Sequence, residues 1–129
     1  MHFIHAAIAN PAVTKGKFRW DIKINSVDDT SDVPAAVGVC KSSIDLEMDP
    51  EFQFGVWAYM CTGEKVSGDT GRESFKEEWS WGDIIGVEVD RDIGYVRFYK
   101  NDVDQGIAFY EDWDKKTDIF LYVGLANPD

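Results

Sequence analysis

A chain of 129 residues and 14.6 kDa, 44% hydrophobic and 14% aromatic, carries enough apolar mass for one packed domain and leaves no room for a second. Its 13 basic residues against 24 acidic ones give a net charge of −11 with no Lys/Arg run, a field that repels phosphate backbones and anionic headgroups and so argues against nucleic acid and membrane surfaces as partners. No apolar run approaches the roughly 20 residues of a membrane helix, and Met1-His2-Phe3-Ile4-His5 lacks the n-region and h-region of a signal peptide, which predicts a soluble cytoplasmic chain, alone or as one domain of a larger multidomain protein.

In chain order, Phe3 to Ala9 reads as an edge strand ending at Asn10-Pro11. Phe18, Trp20, Ile22 and Ile24 alternate with Lys17, Arg19, Asp21 and Lys23, a strand with one core face and one solvent face. Ser26 to Pro34 is a polar loop, Val37 to Cys40 a strand, and Lys41 to Pro50, with Asp45, Glu47 and Asp49, a second polar loop. From Phe54 to Cys61 both alternating sets are apolar (Phe54, Val56, Ala58, Met60 against Gly55, Trp57, Tyr59, Cys61), as expected of a central strand. Thr62 to Trp79 reads as a long decorated loop with glycines and both charge signs, a candidate binding element.

The clearest pattern is a β-hairpin. Ile85, Val87 and Val89 alternate with Gly86, Glu88 and Asp90 in the stretch Trp81 to Asp90, and Val96 and Phe98 alternate with Tyr95, Arg97 and Tyr99 after the turn Arg91-Asp92-Ile93-Gly94. Gly106 to Phe109 is a short strand, Tyr110 to Asp118 an acidic loop bearing Trp113, and Ile119 to Ala126 a last strand. No helical period of useful length and no repeat intervenes. Many short strands with Gly-rich turns predict an all-β, antiparallel two-sheet sandwich.

Chemistry-bearing constellations are weak. If Val37 to Cys40 and Phe54 to Cys61 pair as a hairpin, Cys40 faces about position 55 and Cys61 lies roughly six residues further on, beyond the ~7 Å Cα limit of a disulfide, so two reduced thiols are expected. Glu88-x-Asp90-x-Asp92 puts carboxylates on one strand face, as a glycosidase needs, but a solvated strand face is the commoner source of that pattern. Asp28, Asp29 and Asp32, like Asp45, Glu47 and Asp49, lack the calcium-loop spacing. Nucleophile elbow and phosphate loop are both missing, so no catalytic residue, metal ligand or cofactor is expected. The aromatic surplus is core for the most part, with Trp113 and Tyr110, set among acidic residues, as candidate rim or anchor residues of an interface.

Gly82-Asp83-x-Ile85-Gly86-Val87-x-x-Asp90, followed by Gly94, Val96, Phe98, Lys100-Asn101 and Gly106-x-Ala108-Phe109, resembles the signature of the SPRY domain. Gly16-Lys17-x-x-Trp20-x-Ile22-x-Ile24 resembles the family's opening strand, and Val37-Gly38-Val39, Trp57 and Gly63-Glu64-Lys65 follow in the family's order, so the resemblance runs from about Gly16 to Leu125. It implies a concanavalin-like sandwich serving as a non-catalytic adaptor. Such a module binds a short peptide or protein surface through loops at one edge, often as the substrate-recognition part of a ubiquitin ligase. Carried over, that edge comprises the region before Gly16, the loop from Gly63-Glu64-Lys65 to Arg72 and the residues past Leu125. The candidate partner-binding residues are then Lys65, Val66, Ser67, Asp69, Arg72 and Asn127, with Trp113 added as an anchor.

Two departures stand out. Asp102 occupies a position where the family has Gly, and the chain stops at Asp129 before an expected closing strand, so either the N-terminal segment fills that edge or the domain belongs to a longer protein. The rival class is a carbohydrate-binding lectin of similar architecture, with a glycoside hydrolase further behind.

Overall fold

The computed structural model describes residues 2–23, 35–80 and 82–127, so Ile24, the expected Ser26 to Pro34 loop and Trp81 lie outside the described residues. The strands are β1 (His2–Val13), β2 (Lys17–Lys23), β3 (Ala35–Cys40), β4 (Val56–Met60), β5 (Glu64–Ser67), β6 (Gly71–Ser74), β7 (Ile84–Asp90), β8 (Tyr95–Lys100), β9 (Val103–Tyr110) and β10 (Ile119–Asn127). They form a six-stranded sheet in the order β1-β10-β3-β4-β5-β6 and a four-stranded sheet in the order β2-β7-β8-β9, with every pairing antiparallel. The expected antiparallel two-sheet sandwich is what the chain adopts.

Alternation of side chains fills the space between the sheets. Val37, Val39, Trp57 and Tyr59 of the larger sheet meet Ile85, Val87, Val89, Val96 and Phe98 of the smaller one. Tyr59 lies 5.3 Å from both Phe75 and Phe98, ring to ring. Each such side chain contributes about 1.5–3 kcal/mol on burial, so the β7–β8 hairpin is the most heavily anchored part of the smaller sheet. The opposite set, Ala36, Cys40, Val56, Ala58, Met60, Val66 and Tyr122, forms a second apolar cluster on the outer face of the larger sheet. The β3–β4 connection, with a 3-10 turn at Pro50–Phe52, packs over β4, β5 and β6. Two covered faces explain why β4 is apolar throughout.

Several expectations need correction. The segment read as a loop from Thr62 to Trp79 contains the β5–β6 hairpin, which carries too few apolar residues to announce itself as strand. Phe54 precedes β4 and is solvent-exposed, and Phe18 on edge strand β2 is also exposed, its ring resting 4.9 Å from Trp20. Cys40 pairs with Val56, one residue from the expected register, and neither Cys40 nor Cys61 forms a disulfide. The N-terminal segment does fill the edge beside β10, and as β1 it extends past Pro11 by means of a register shift between Ala9 and Val13.

Turn chemistry accounts for the hairpins of the smaller sheet. Gly94 at φ 91 closes the β7–β8 turn, which the Asp90 carboxylate stabilises by accepting from the backbone N–H of Asp92 and of Ile93. Asn101 at φ 50 and Asp102 at φ 67 make the two-residue β8–β9 turn, so Asp102 takes the left-handed conformation that the family's Gly provides. Strand β9 is bulged twice, because its register against β8 skips Gln105 and Ala108.

Candidate functional site

One end of the sandwich gathers the β3–β4 loop, the β5–β6 turn, the β7–β8 turn and the β9–β10 loop. Gly68 of the β5–β6 turn lies so close to the Gln53 carbonyl that a side chain there would strike backbone. Gln53 itself pins the β3–β4 loop, accepting from the Asp45 N–H at 2.8 Å and donating to the Asp45 and Met48 carbonyls. Glu111 ties the remaining loops in, its N–H donating to the Gly94 carbonyl at 3.0 Å. Burial pushes the Glu111 carboxyl above its ordinary range, with Asp69 adding to the effect and Lys41 opposing it, so the β5–β6 turn, the β9–β10 loop and the end of β3 share one electrostatic neighbourhood.

Four apolar side chains project from this end. Phe52 and Phe54 on the β3–β4 loop, Ile93 on the β7–β8 turn and Tyr110 at the end of β9 are each 70% or more exposed. Folded surfaces tolerate scattered apolar residues, but several at one end of a rigid scaffold are typical of recognition surfaces. Tyr110 is the one of the four that the sequence marks as an interface candidate; Phe54 reads instead as part of the β4 strand, and nothing in the pattern singles out Phe52 or Ile93. Pro50 and Gly55, bracketing Phe52 and Phe54, were the available signal that the aromatics sit on a loop.

The residues expected to bind a partner are distributed unevenly. Asp69 is exposed at this end. Val66 and Ser67 are 1% and 2% exposed, so neither offers a side chain to a partner; Val66 belongs to the outer apolar cluster and the Ser67 hydroxyl bonds Thr70. Arg72 is half-buried and paired with Glu51 at 2.9 Å, fastening β6 to the 3-10 turn. Lys65 crosses between the sheets: its Nζ donates to the Ala108 carbonyl of β9 at 2.9 Å, beside the Phe75 and Phe109 rings. Trp113 packs edge-on against Trp57 at 5.4 Å, with the Arg91 guanidinium 5.8 Å from its ring, and so is part of the core margin rather than a free anchor. Asn127 pairs with His2 at the opposite end of the sandwich.

The carboxylates that suggested a glycosidase have structural partners. Glu88 is buried and accepts from the Tyr95 hydroxyl at 2.8 Å and the Tyr99 hydroxyl at 3.1 Å, with Arg97 at 3.5 Å, while Asp90 holds the β7–β8 turn. The solvated strand face expected at Glu88 is thus a closed hydrogen-bond network. Among the described residues no group of three or more His, Cys, Asp or Glu side chains is placed to hold a metal ion, and no helix is long and apolar enough to cross a membrane.

Comparison with known proteins agrees with this architecture. The chain is 31% identical over 105 residues to the ATP-dependent RNA helicase DDX1 of Xenopus laevis, a match covering 81% of this chain and 13% of that protein, so it corresponds to a small part of the helicase's length. The crystal structure of the SPRY domain of human HERC1 superposes with a TM-score of 0.78 at 19% identity, covering 92% of this chain and 72% of that one. The family model of the SPRY domain matches residues 17–129. With its bulged four-stranded sheet, its signature hairpin β7–β8 and this family match, the chain belongs to the SPRY family, whose members are generally non-catalytic protein-interaction modules.

Proposed function

We propose that this domain is a non-catalytic recognition module that binds a short peptide or protein surface through the loop end carrying Phe52, Phe54, Ile93 and Tyr110. In a longer protein it serves as an adaptor, presenting a substrate to a ubiquitin ligase or joining a scaffold. The observation that carries the reading is the set of exposed apolar side chains on loops fastened to one another and to a rigid sandwich. Fixed loops lose little conformational entropy on binding, and aromatic side chains are the usual anchors of an interface. Asp69 lies on the rim of this end, whereas Lys65 and Arg72 hold the β5–β6 hairpin that displays it. Since the chain carries −11, a partner segment with basic or amide side chains is favoured, rim charges acting more on association rate than on affinity.

The test is capture of a partner from lysate by the wild-type domain, then a binding curve for Phe52→Ala with Phe54→Ala against that partner. Affinity is expected to fall roughly tenfold or more, the effect of losing one or two interface anchors. Unchanged affinity, or hydrogen-exchange protection confined to the opposite end around Asn127, rules this surface out.

A further inference from the structure

A second feature lies on the outer face of the smaller sheet, at the other end from the recognition loops. There a cleft of about 410 Å³ is lined by Arg19 and Asp21 of β2, Ile84 of β7 and the Asn101-Asp102 turn. The floor is formed where β7 has Gly86. A side chain there would meet the Asp21 carboxylate at 2.9 Å and the Arg19 guanidinium at 3.0 Å, so its absence lets Arg19 lie flat across the sheet. The guanidinium rests 3.8 Å from the Tyr99 ring centre, and its Nη2 is 2.9 Å from both Asp21 Oδ1 and Asp102 Oδ1. Two carboxylate oxygens sharing one nitrogen are held within two hydrogen-bond lengths of each other.

The rim is equally fixed. The Asn101 side chain accepts from the Ile84 N–H and donates to Asp83 Oδ1, each at 2.9 Å, which locks the turn that carries Asp102. Arg19 is therefore preorganised and already directed at carboxylates within the lining, and the lining as a whole carries one more negative charge than positive. An incoming anion meets that excess charge and an arginine whose Nε and Nη2 are already engaged by Asp21 and Asp102. An incoming cation meets two carboxylates and a half-exposed Ile84 against which a methylene stem can lie.

We infer that this cleft is a second docking site, which takes a lysine or arginine side chain of a protein or peptide partner between Asp21 and Asp102 with its stem on Ile84. It is independent of the loop end, and a partner engaging both surfaces has an apolar segment for one and a basic residue for the other. The chain's −11 charge favours the approach of such a segment and makes capture sensitive to salt.

The experiment is an amide NMR titration of the whole chain with N-acetyl-arginine methylamide and N-acetyl-lysine methylamide, with the uncharged citrulline and anionic glutamate analogues as controls. The cationic probes are expected to move the signals of Ile84, Gly86, Asn101 and Asp102 and to leave Asp69 and Glu111 in place. In Asp21→Asn with Asp102→Asn, which keeps at position 102 a residue suited to the left-handed conformation, the apparent affinity falls roughly tenfold or more, the loss of two charge-assisted contacts, while the melt is unchanged. The inference is overturned if no probe moves these signals, if citrulline moves them equally, if the shifts spread over acidic surface residues in general, or if the double variant responds like the wild type. None of these readings depends on whether the loop end binds a partner.

Discussion

The hairpins β7–β8 and β5–β6 sit in facing sheets and are built on different principles. The first is held by what its own strands bury: Ile85, Val87, Val89, Val96 and Phe98 all enter the inter-sheet core. The second has Val66 as its one fully buried large apolar side chain and is fastened from outside, by Arg72 to Glu51, by Gly68 against Gln53 and by Lys65 to Ala108. A hairpin of the first kind carries its own instructions, whereas one of the second kind exists only once the rest of the sandwich is in place.

Three measurements break or sharpen that contrast. The largest effect is expected at Phe98, fully buried against Tyr59 and Phe75: Phe98→Ala should cost about 3–5 kcal/mol in denaturant unfolding, a large part of the stability of a domain this size. A loss below about 1 kcal/mol would mean that the β7–β8 hairpin is not the anchor of the smaller sheet. Next comes Lys65→Met, which keeps the apolar stem and removes the donor to the Ala108 carbonyl. It should cost about 1–2 kcal/mol, with raised hydrogen exchange in β5 and β6 ahead of β7 and β8. Uniform exchange in the two hairpins would show that they share one cooperative unit.

The smallest effect is a pH dependence. Burial first, then the hydrogen bond to Glu88, pushes the Tyr95 phenol from its ordinary 10 up to about 12. The fold favours the neutral phenol, so its contribution is whole below about pH 10 and is lost as pH rises through about 12. The stability difference between wild type and Tyr95→Phe should therefore shrink across that window, the other tyrosines being common to both proteins. A constant difference would place the Glu88 network outside the energetics of the hairpin.

The same contrast explains what was legible. Period-2 alternation at Ile85 to Val89 and Tyr95 to Tyr99 specified strands, register and core face together, and the SPRY signature falls on those residues. Local turn chemistry was readable too, at Gly94 and, against the family pattern, at Asp102. What escaped was everything decided by distant partners. Lys65 looked like a free rim charge because nothing near it in sequence reveals the Ala108 carbonyl, and Glu88 looked solvated because its tyrosine partners stand across the strand pair. The loop end was half legible: glycines and charges marked the β5–β6 turn and Tyr110 stood out among acidic residues, yet Phe54 was credited to a strand.

The Lys65 bridge has a consequence for how the molecule meets other copies of itself. Strand β9 is one of the two margins of the smaller sheet, β2 being the other, and an unpaired margin invites another chain to add a strand. Here the Ala108 carbonyl is already occupied by an ammonium group from the opposite sheet, at a residue the bulge has removed from the ladder, and Gly106 at φ 96 bends the strand beside the second bulge. A foreign strand laid along β9 finds no straight, evenly spaced row of donors and acceptors. The contact that joins the two sheets thus also guards the β9 margin against edge-to-edge aggregation.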